Sequence, residues 1–92
     1  MLQLDVSTRF KKDLKLAKKQ HKDIEHLEKV INTLQQEKPL PEKYRDHLLS
    51  SNWKGYRECH IDPDWLLIYK VVKDHVKLLR LARLGSHSDL FK

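Results

Sequence analysis

The sequence predicts an α+β domain, in which an N-terminal strand and an antiparallel helical hairpin pack on a C-terminal antiparallel β-meander. Three observations predict it. Leu2-Gln3-Leu4-Asp5-Val6 alternates apolar and polar residues, the period of a half-buried strand. Between Ser7 and Glu37 the apolar residues recur at helical spacing and leave a single buried stripe. From Lys54 onward, three β-prone runs are separated by the short polar breaks Asp62-Pro63 and Lys73-Asp74.

Taken in order, Ser7 can cap a first helix reaching about Gln20, because its hydroxyl can accept from an otherwise unpaired backbone N–H. Phe10, Leu14 and Ala17 form its apolar stripe, with Leu16 beside them, and Lys11, Lys12, Lys15, Lys18 and Lys19 cover the remainder. Asp23 caps a second helix ending near Glu37, whose buried face is Ile24, Leu27, Val30, Ile31 and Leu34. Pro39 stops it, since the residue before a proline avoids helical geometry. Few residues join the two helices, so they should form an antiparallel hairpin.

A connector runs from Pro39 to about Asn52, tied down by Leu48 and Leu49. The strands then cover about Lys54 to Ile61, Asp64 to Val72 and His75 to Leu84. One-for-one pairing outward from two-residue loops sets His60 opposite Trp65, Asp64 opposite Arg83 and Trp65 opposite Ala82. His60, Asp64, Trp65 and Arg83 should therefore share one edge of the meander, and the tail after Gly85 can bring His87 to it. A slip of one residue would change the faces but not the edge.

The 92 residues suit one domain, 1–92, with no second core. The charged fraction of 35% and hydrophobic fraction of 39% are compatible with a folded soluble chain. No apolar run reaches membrane-spanning length and no signal-like segment follows Met1, so the expected compartment is the cytoplasm, without a membrane partner. The single cysteine, Cys59, excludes an internal disulfide framework. A net charge of +6 with pI near 9.5 favours a polyanionic partner, nucleic acid before an acidic protein.

Six histidines are the most informative residues. His21, His26 and His75 stand in charged, helical or turn settings and read as solvated surface. His60 follows Tyr56 and Glu58 on one strand face and reads as solvent-facing; its convergence with Asp64 and Arg83 is what raises it above a surface residue. Asp62, His60, Asp64 and His87 could ligate a divalent ion, but their spacing matches no common zinc pattern, so no metal is expected. A Cys59–His60 nucleophilic pair is disfavoured because neighbours on a strand point to opposite faces. Of Trp53, Tyr56, Trp65 and Tyr69, about half should be core, and the others are available to stack on bases.

Asp46-His47-x-Leu49, Trp53-Lys54-Gly55-x-Arg57-Glu58-x-His60-Ile61-x-Pro63-Asp64-Trp65-Leu66-Leu67-Ile68-Tyr69 and Arg83-x-Gly85-x-His87-x-x-Leu90-Phe91 resemble the YafQ branch of the RelE toxin superfamily. The resemblance spans essentially the whole chain and implies a RelE-like fold. It also implies the toxin of a type II toxin–antitoxin pair, which cleaves messenger RNA in the ribosomal A site and is neutralised by a cognate antitoxin. It implies active-site roles for His47, His60, Asp64, Arg83, His87 and Phe91, with Trp65 as a helper. Ser51 departs from the pattern, since relatives often place glycine in the turn before the tryptophan. The gyrase-poisoning ParE branch shares the fold but lacks a His-Asp-His set, which argues against that function here.

The chemistry expected is metal-independent, cofactor-free transesterification. A base takes the proton of a ribose 2′-hydroxyl, which attacks the adjacent phosphorus, and an acid protonates the departing 5′-oxygen. Two imidazoles suit this because the unperturbed group titrates near working pH. Asp64 could orient an imidazole or act as the base, Arg83 offers a fixed positive fork, and Trp65 or Phe91 could stack on a splayed base. The lysine-rich first helix would dock on ribosomal RNA.

Overall fold

The computed structural model describes residues 1–91. Strand β1 (Gln3–Val6) leads into α1 (Thr8–Lys19) and α2 (Ile24–Gln35). A 3₁₀ turn at Glu42–Tyr44, a short strand β2 (His47–Leu48) and a second 3₁₀ turn at Ser51–Trp53 make up the connector. Strands β3 (Arg57–Asp62), β4 (Trp65–Lys73) and β5 (Lys77–Gly85) follow, and a single helical turn, α3 (His87–Leu90), ends the fold. The five strands form one sheet in the order β1-β5-β4-β3-β2, with β1 parallel to β5 and the other pairs antiparallel.

Both predicted helix caps form. Ser7 Oγ accepts from Phe10 N at 2.9 Å, and Asp23 Oδ1 accepts from His26 N at 3.0 Å. Ser7 also donates to the Ala82 carbonyl at 2.7 Å, which fixes the start of α1 to β5. The helices cover one face of the sheet. Phe10, Ala17, Leu27, Val30 and Leu34 meet Cys59, Ile61, Trp65, Leu67, Tyr69, Leu79, Leu81 and Leu84 in the main core. The opposite face carries a smaller cluster of Leu66, Ile68, Ala82 and Leu90, flanked by Leu49, Trp53 and Tyr56. Leu90 is how α3 is held to the sheet.

The sheet register differs from one-for-one pairing at both hairpins. A bulge between His60 and Asp62 pairs Asp62 with Trp65 and His60 with Leu66. An extra residue of this kind reverses which side chains share a face. Trp65 therefore joins Cys59 and Ile61 under the helices, while His60 lies on the open face beside Leu66. The second loop spans Asp74, His75 and Val76, because Lys73 pairs with Lys77. A further irregularity near Ala82 sets Arg83 opposite Ile68 and Gly85 opposite Leu66. The segment that reaches the Asp64 end of the sheet is thus the one after Gly85. Arg83 does not lie opposite Asp64 as one-for-one pairing would have it.

The connector is pinned by charge. Asp46 Oδ1 accepts from Arg57 Nε at 3.1 Å and from the Tyr69 hydroxyl at 2.7 Å. The Tyr69 hydroxyl is held well above its ordinary titration range, first by burial and then by this bond. Ser51, where the resemblance is broken, has φ +56°, a left-handed conformation that favours glycine.

Candidate active site on the open sheet face

Strand alternation builds the site. On β3 the residues facing away from the helices are Glu58 and His60, paired across to Ile68 and Leu66 of β4. On the other flank His47 of β2 pairs with Glu58. Glu58 is 3% exposed and is the one buried charged residue among the described residues. A buried carboxylate needs partners, and two imidazoles supply them. His60 Nε2 lies 3.4 Å and His47 Nε2 3.6 Å from the same oxygen, Oε1. His47 Nδ1 lies 2.7 Å from the Arg45 carbonyl. A carbonyl only accepts, so Nδ1 carries a proton and Nε2 is the nitrogen turned toward Glu58.

The C-terminal turn supplies the second imidazole, His87, which pairs with the Asp64 carboxylate. Ser86 caps α3 in a reciprocal arrangement with Asp89, the backbone N of each bonding the other's side chain at 3.1 and 3.2 Å. Asp64 Oδ1 accepts from the His87 backbone N at 3.2 Å and lies 3.4 Å from its Nδ1. Asp64 thereby holds both the start of α3 and the ring it carries. The rings of His60 and His87 are 5.5 Å apart, and Phe91, 41% exposed, stands 6.0 Å beyond His87. The result is a line of groups, Glu58, His60, His87 and Asp64, with a carboxylate behind each imidazole. Gly85 eases this approach of α3, because a β-carbon there would stand 3.1 Å from the Asp89 β-carbon, close enough that one of them would have to give by a few tenths of an ångström.

Of the residues singled out from sequence, His47, His60, Asp64, His87 and Phe91 come together. Arg83 stands apart from the imidazole line. Its Nε and Nη2 donate to Asp13 of α1 at 2.8 and 3.3 Å, and Asp13 also accepts from Leu84 N at 2.9 Å. Asp13 is the leading cause that holds the Arg83 guanidinium above its ordinary range. Arg83 and Asp64 share a groove, bordered by Arg9, Asp13 and Ser86. Trp65 is 2% exposed and cannot stack on RNA; the bulge at His60–Asp62 turned it into the core. Lys11, Lys12, Lys15, Lys18 and Lys19 are all exposed on α1, in the layer covering the other face.

Two residues were missed in sequence. Glu58 looked like an ordinary strand residue, although its i, i+2 relation to His60 was a usable signal. His26 is half-buried and bonded to Tyr44, whereas His21 and His75 are exposed as expected. The metal-ligand set also differs from the one weighed from sequence. Asp62 faces His26 at 3.6 Å. The atoms that converge are those of Glu58, His60 and His87, all within 4.8 Å of one another. One carboxylate oxygen and two imidazole nitrogens suit zinc or copper(II). Cys59 is fully buried and its thiol is pushed far up by that burial, so it supplies no thiolate. No helix among the described residues is long and apolar enough to cross a membrane.

A mixed five-stranded sheet with a helical hairpin on one face and a histidine–carboxylate line on the other defines the class, a toxin of RelE-like fold. Residues 2–92 match the family model for YafQ, a bacterial toxin of type II toxin–antitoxin systems, and the chain belongs to that family. It is 49% identical to the mRNA interferase toxin YafQ of Escherichia coli strain B / BL21-DE3, over 99% of each chain. Among solved structures, it resembles the E. coli DinJ–YafQ toxin–antitoxin complex with a TM-score of 0.89 at 44% identity, covering 99% of this chain and 98% of that one. It resembles a metal-bound toxin from Helicobacter pylori with a TM-score of 0.91 at 47% identity, covering 99% and 100%.

Proposed function

We propose that the chain is an mRNA endoribonuclease that cuts message in the ribosomal A site and is held in check by a cognate antitoxin. The observation that carries this reading is the pair of imidazoles 5.5 Å apart, each with a carboxylate behind it. The relative named mRNA interferase and the solved complex with an antitoxin support it.

In the proposed mechanism His60, backed by Glu58, takes the proton of the ribose 2′-hydroxyl. The freed oxygen attacks phosphorus and closes a 2′,3′-cyclic phosphate. The P–O5′ bond breaks, and the 5′-oxygen leaves with a proton from His87, oriented by Asp64. Water then opens the cycle to a 3′-phosphate. One well-placed acid or base contributes about 10²–10⁴-fold. His47, sharing the Glu58 oxygen with His60, keeps that carboxylate oriented. Arg83, fixed by Asp13 in the groove it shares with Asp64, takes a flanking phosphate of the message rather than the phosphorane between the two imidazoles. Phe91 stacks against a splayed base next to His87. The exposed lysines of α1 dock on ribosomal RNA.

A divalent ion held by Glu58, His60 and His87 would supply Lewis-acid charge at that point. It would also occupy the nitrogens that this mechanism needs for proton exchange, so the reaction proposed is the metal-free one. Primer extension on ribosome-bound message tests the reading. Cuts within the A-site codon that vanish in His60→Ala and His87→Ala are expected. Equal cutting of naked RNA at the same sites would contradict ribosome dependence, and an uncut message would contradict the activity.

A further inference from the structure

Beside the imidazole line lies a second concavity that the mechanism leaves unused. Strand β2 pairs only with Arg57 and Glu58, so the outer edge of β3 is bare from His60 to Asp62. The 3₁₀ turn at Glu42–Tyr44 and the start of α2 stand next to that bare edge. Between them is a cavity of about 370 Å³ lined by His26, Lys43, Tyr44, Arg45, His60 and Asp62, among others. Its volume is at the small end of ligand-sized pockets. His60 forms part of its wall and is also the imidazole facing His87.

Three features give the cavity a ligand class. Lys43 and Arg45 are exposed and make no ion pair among the described residues, whereas Arg57, Arg80 and Arg83 each have an aspartate partner. Unpaired cations at a rim suit a phosphate. Tyr44 supplies an aromatic wall, with Lys43 Nζ 5.3 Å from its ring centre and the His26 ring against its edge. The floor is a fixed polar line. His26 Nε2 lies 2.8 Å from the Tyr44 hydroxyl, and its Nδ1 faces Asp62 at 3.6 Å. A carboxylate only accepts, which favours the tautomer with the proton on Nδ1. Nε2 then accepts from the Tyr44 hydroxyl and leaves the phenol oxygen as an acceptor toward the cavity. Arg45 is held left-handed at φ +49°. That geometry is the C-cap of the 3₁₀ turn at Glu42–Tyr44. The Arg45 carbonyl is the one that anchors His47.

We infer that this cavity is a nucleotide subsite, holding the residue of the RNA that flanks the scissile phosphate on the side of His60 away from His87. Lys43 and Arg45 take its phosphate, and the Tyr44–His26–Asp62 line reads the edge of its base, favouring one that presents an N–H donor. The inference rests on the endoribonuclease reading above and adds the origin of its sequence preference.

The test is cleavage of ribosome-bound messages with randomised nucleotides around the cut, read by sequencing the new ends. Tyr44→Phe and His26→Ala should alter base preference at one position adjoining the cut. The double variant Lys43→Ala/Arg45→Ala should lower kcat/KM about tenfold on every sequence, the pattern of a lost phosphate contact. Lys29→Ala, which removes a cation elsewhere on the surface, should do neither. If wild type cleaves and all these variants keep its preference and rate, the subsite is wrong and the endoribonuclease reading stands. Loss of antitoxin affinity with unchanged cleavage would assign the cavity to the antitoxin and also overturn the inference. NMR titration with a short RNA carrying a 2′-deoxy nucleotide at the cut gives an independent arm. The His26 and Tyr44 ring resonances should shift, and that response should be lost in Lys43→Ala/Arg45→Ala. Shifts at His87 with none at His26 or Tyr44 overturn the subsite and leave the endoribonuclease reading standing.

Discussion

The two faces of strand β3 use the same six residues for opposite ends. Cys59 and Ile61 point under the helices and are almost wholly buried among apolar side chains. Glu58 and His60 point the other way, away from the helical hairpin, and meet His47 and the His87 of α3. One face is closed by packing, and the other is organised by charge with a single carboxylate buried in it. The comparison teaches that alternation along one strand makes the site inseparable from the core that aims it. A change on one face should cost stability, and a change on the other should cost chemistry.

Neighbouring substitutions test that separation most sharply. Ile61→Ala should destabilise by about 2–5 kcal/mol, the range for emptying a core position. At about 4–8 °C per kcal/mol for a domain this small, the loss is easily seen in a thermal melt, while cleavage per folded molecule survives. His60→Ala, one residue away, should lower cleavage by about 10²–10⁴-fold with a much smaller shift in Tm. Matching losses of stability in both variants would erase the distinction between the faces.

A metal probes the open face alone. Zinc should bind Glu58, His60 and His87 and inhibit cleavage. A chelator selective for zinc over magnesium should restore the activity and leave untreated enzyme unaffected. Stimulation by stoichiometric zinc would contradict the proton-transfer roles of the two imidazoles.

Smaller effects sharpen the covered face. The Tyr69 hydroxyl titrates above its ordinary value of 10.0 in the folded chain, because burial and Asp46 both disfavour the phenolate. The proton it keeps stabilises the fold fully below the unfolded value, and that stability is lost as pH climbs past it. Alkaline melts should therefore decline above about pH 10. Tyr69→Phe should be about 1 kcal/mol less stable at neutral pH, the usual worth of one hydrogen bond, and should show a flatter alkaline limb. The smallest effect expected is at Ser51. Left-handed geometry costs a non-glycine residue about 1–2 kcal/mol, and glycine returns about 0.5–1 kcal/mol of that as unfolded-chain entropy. Ser51→Gly should thus gain about 0–1.5 kcal/mol and raise Tm by a few degrees, about 10 °C at the outside; a lower Tm would show that the serine side chain stabilises the turn.

Local sequence signals carried much of this architecture. Ser7 and Asp23 act as the caps expected of them, and the apolar stripe of α2 faces the core as its spacing implies. Register was not legible in the same way. The bulge between His60 and Asp62 and the irregularity at Ala82 arise from packing across the sheet, and no local pattern marks them. They decide that Trp65 is core, that Arg83 turns to Asp13, and that His87 is what meets Asp64. The family motif singled out His47 and Phe91, which pairing arithmetic could not place, and the fold sets them beside His60 and His87 as candidates. Glu58 stood in the motif without a role, because its burial between two imidazoles is supplied only by the folded sheet.

The central claim is that His87 gives its proton to the departing oxygen while His60 acts on the nucleophile. A message whose scissile 5′-oxygen is replaced by sulfur tests it directly, since a thiolate leaves without protonation. Single-turnover cleavage on the ribosome would be compared for the oxygen and sulfur messages. On sulfur, His87→Ala should recover to within about tenfold of wild type, because the acid it lacks is no longer needed. His60→Ala should remain slow on both. Should His87→Ala stay equally slow on the sulfur message, His87 is not the acid and the assignment of the two imidazoles is wrong.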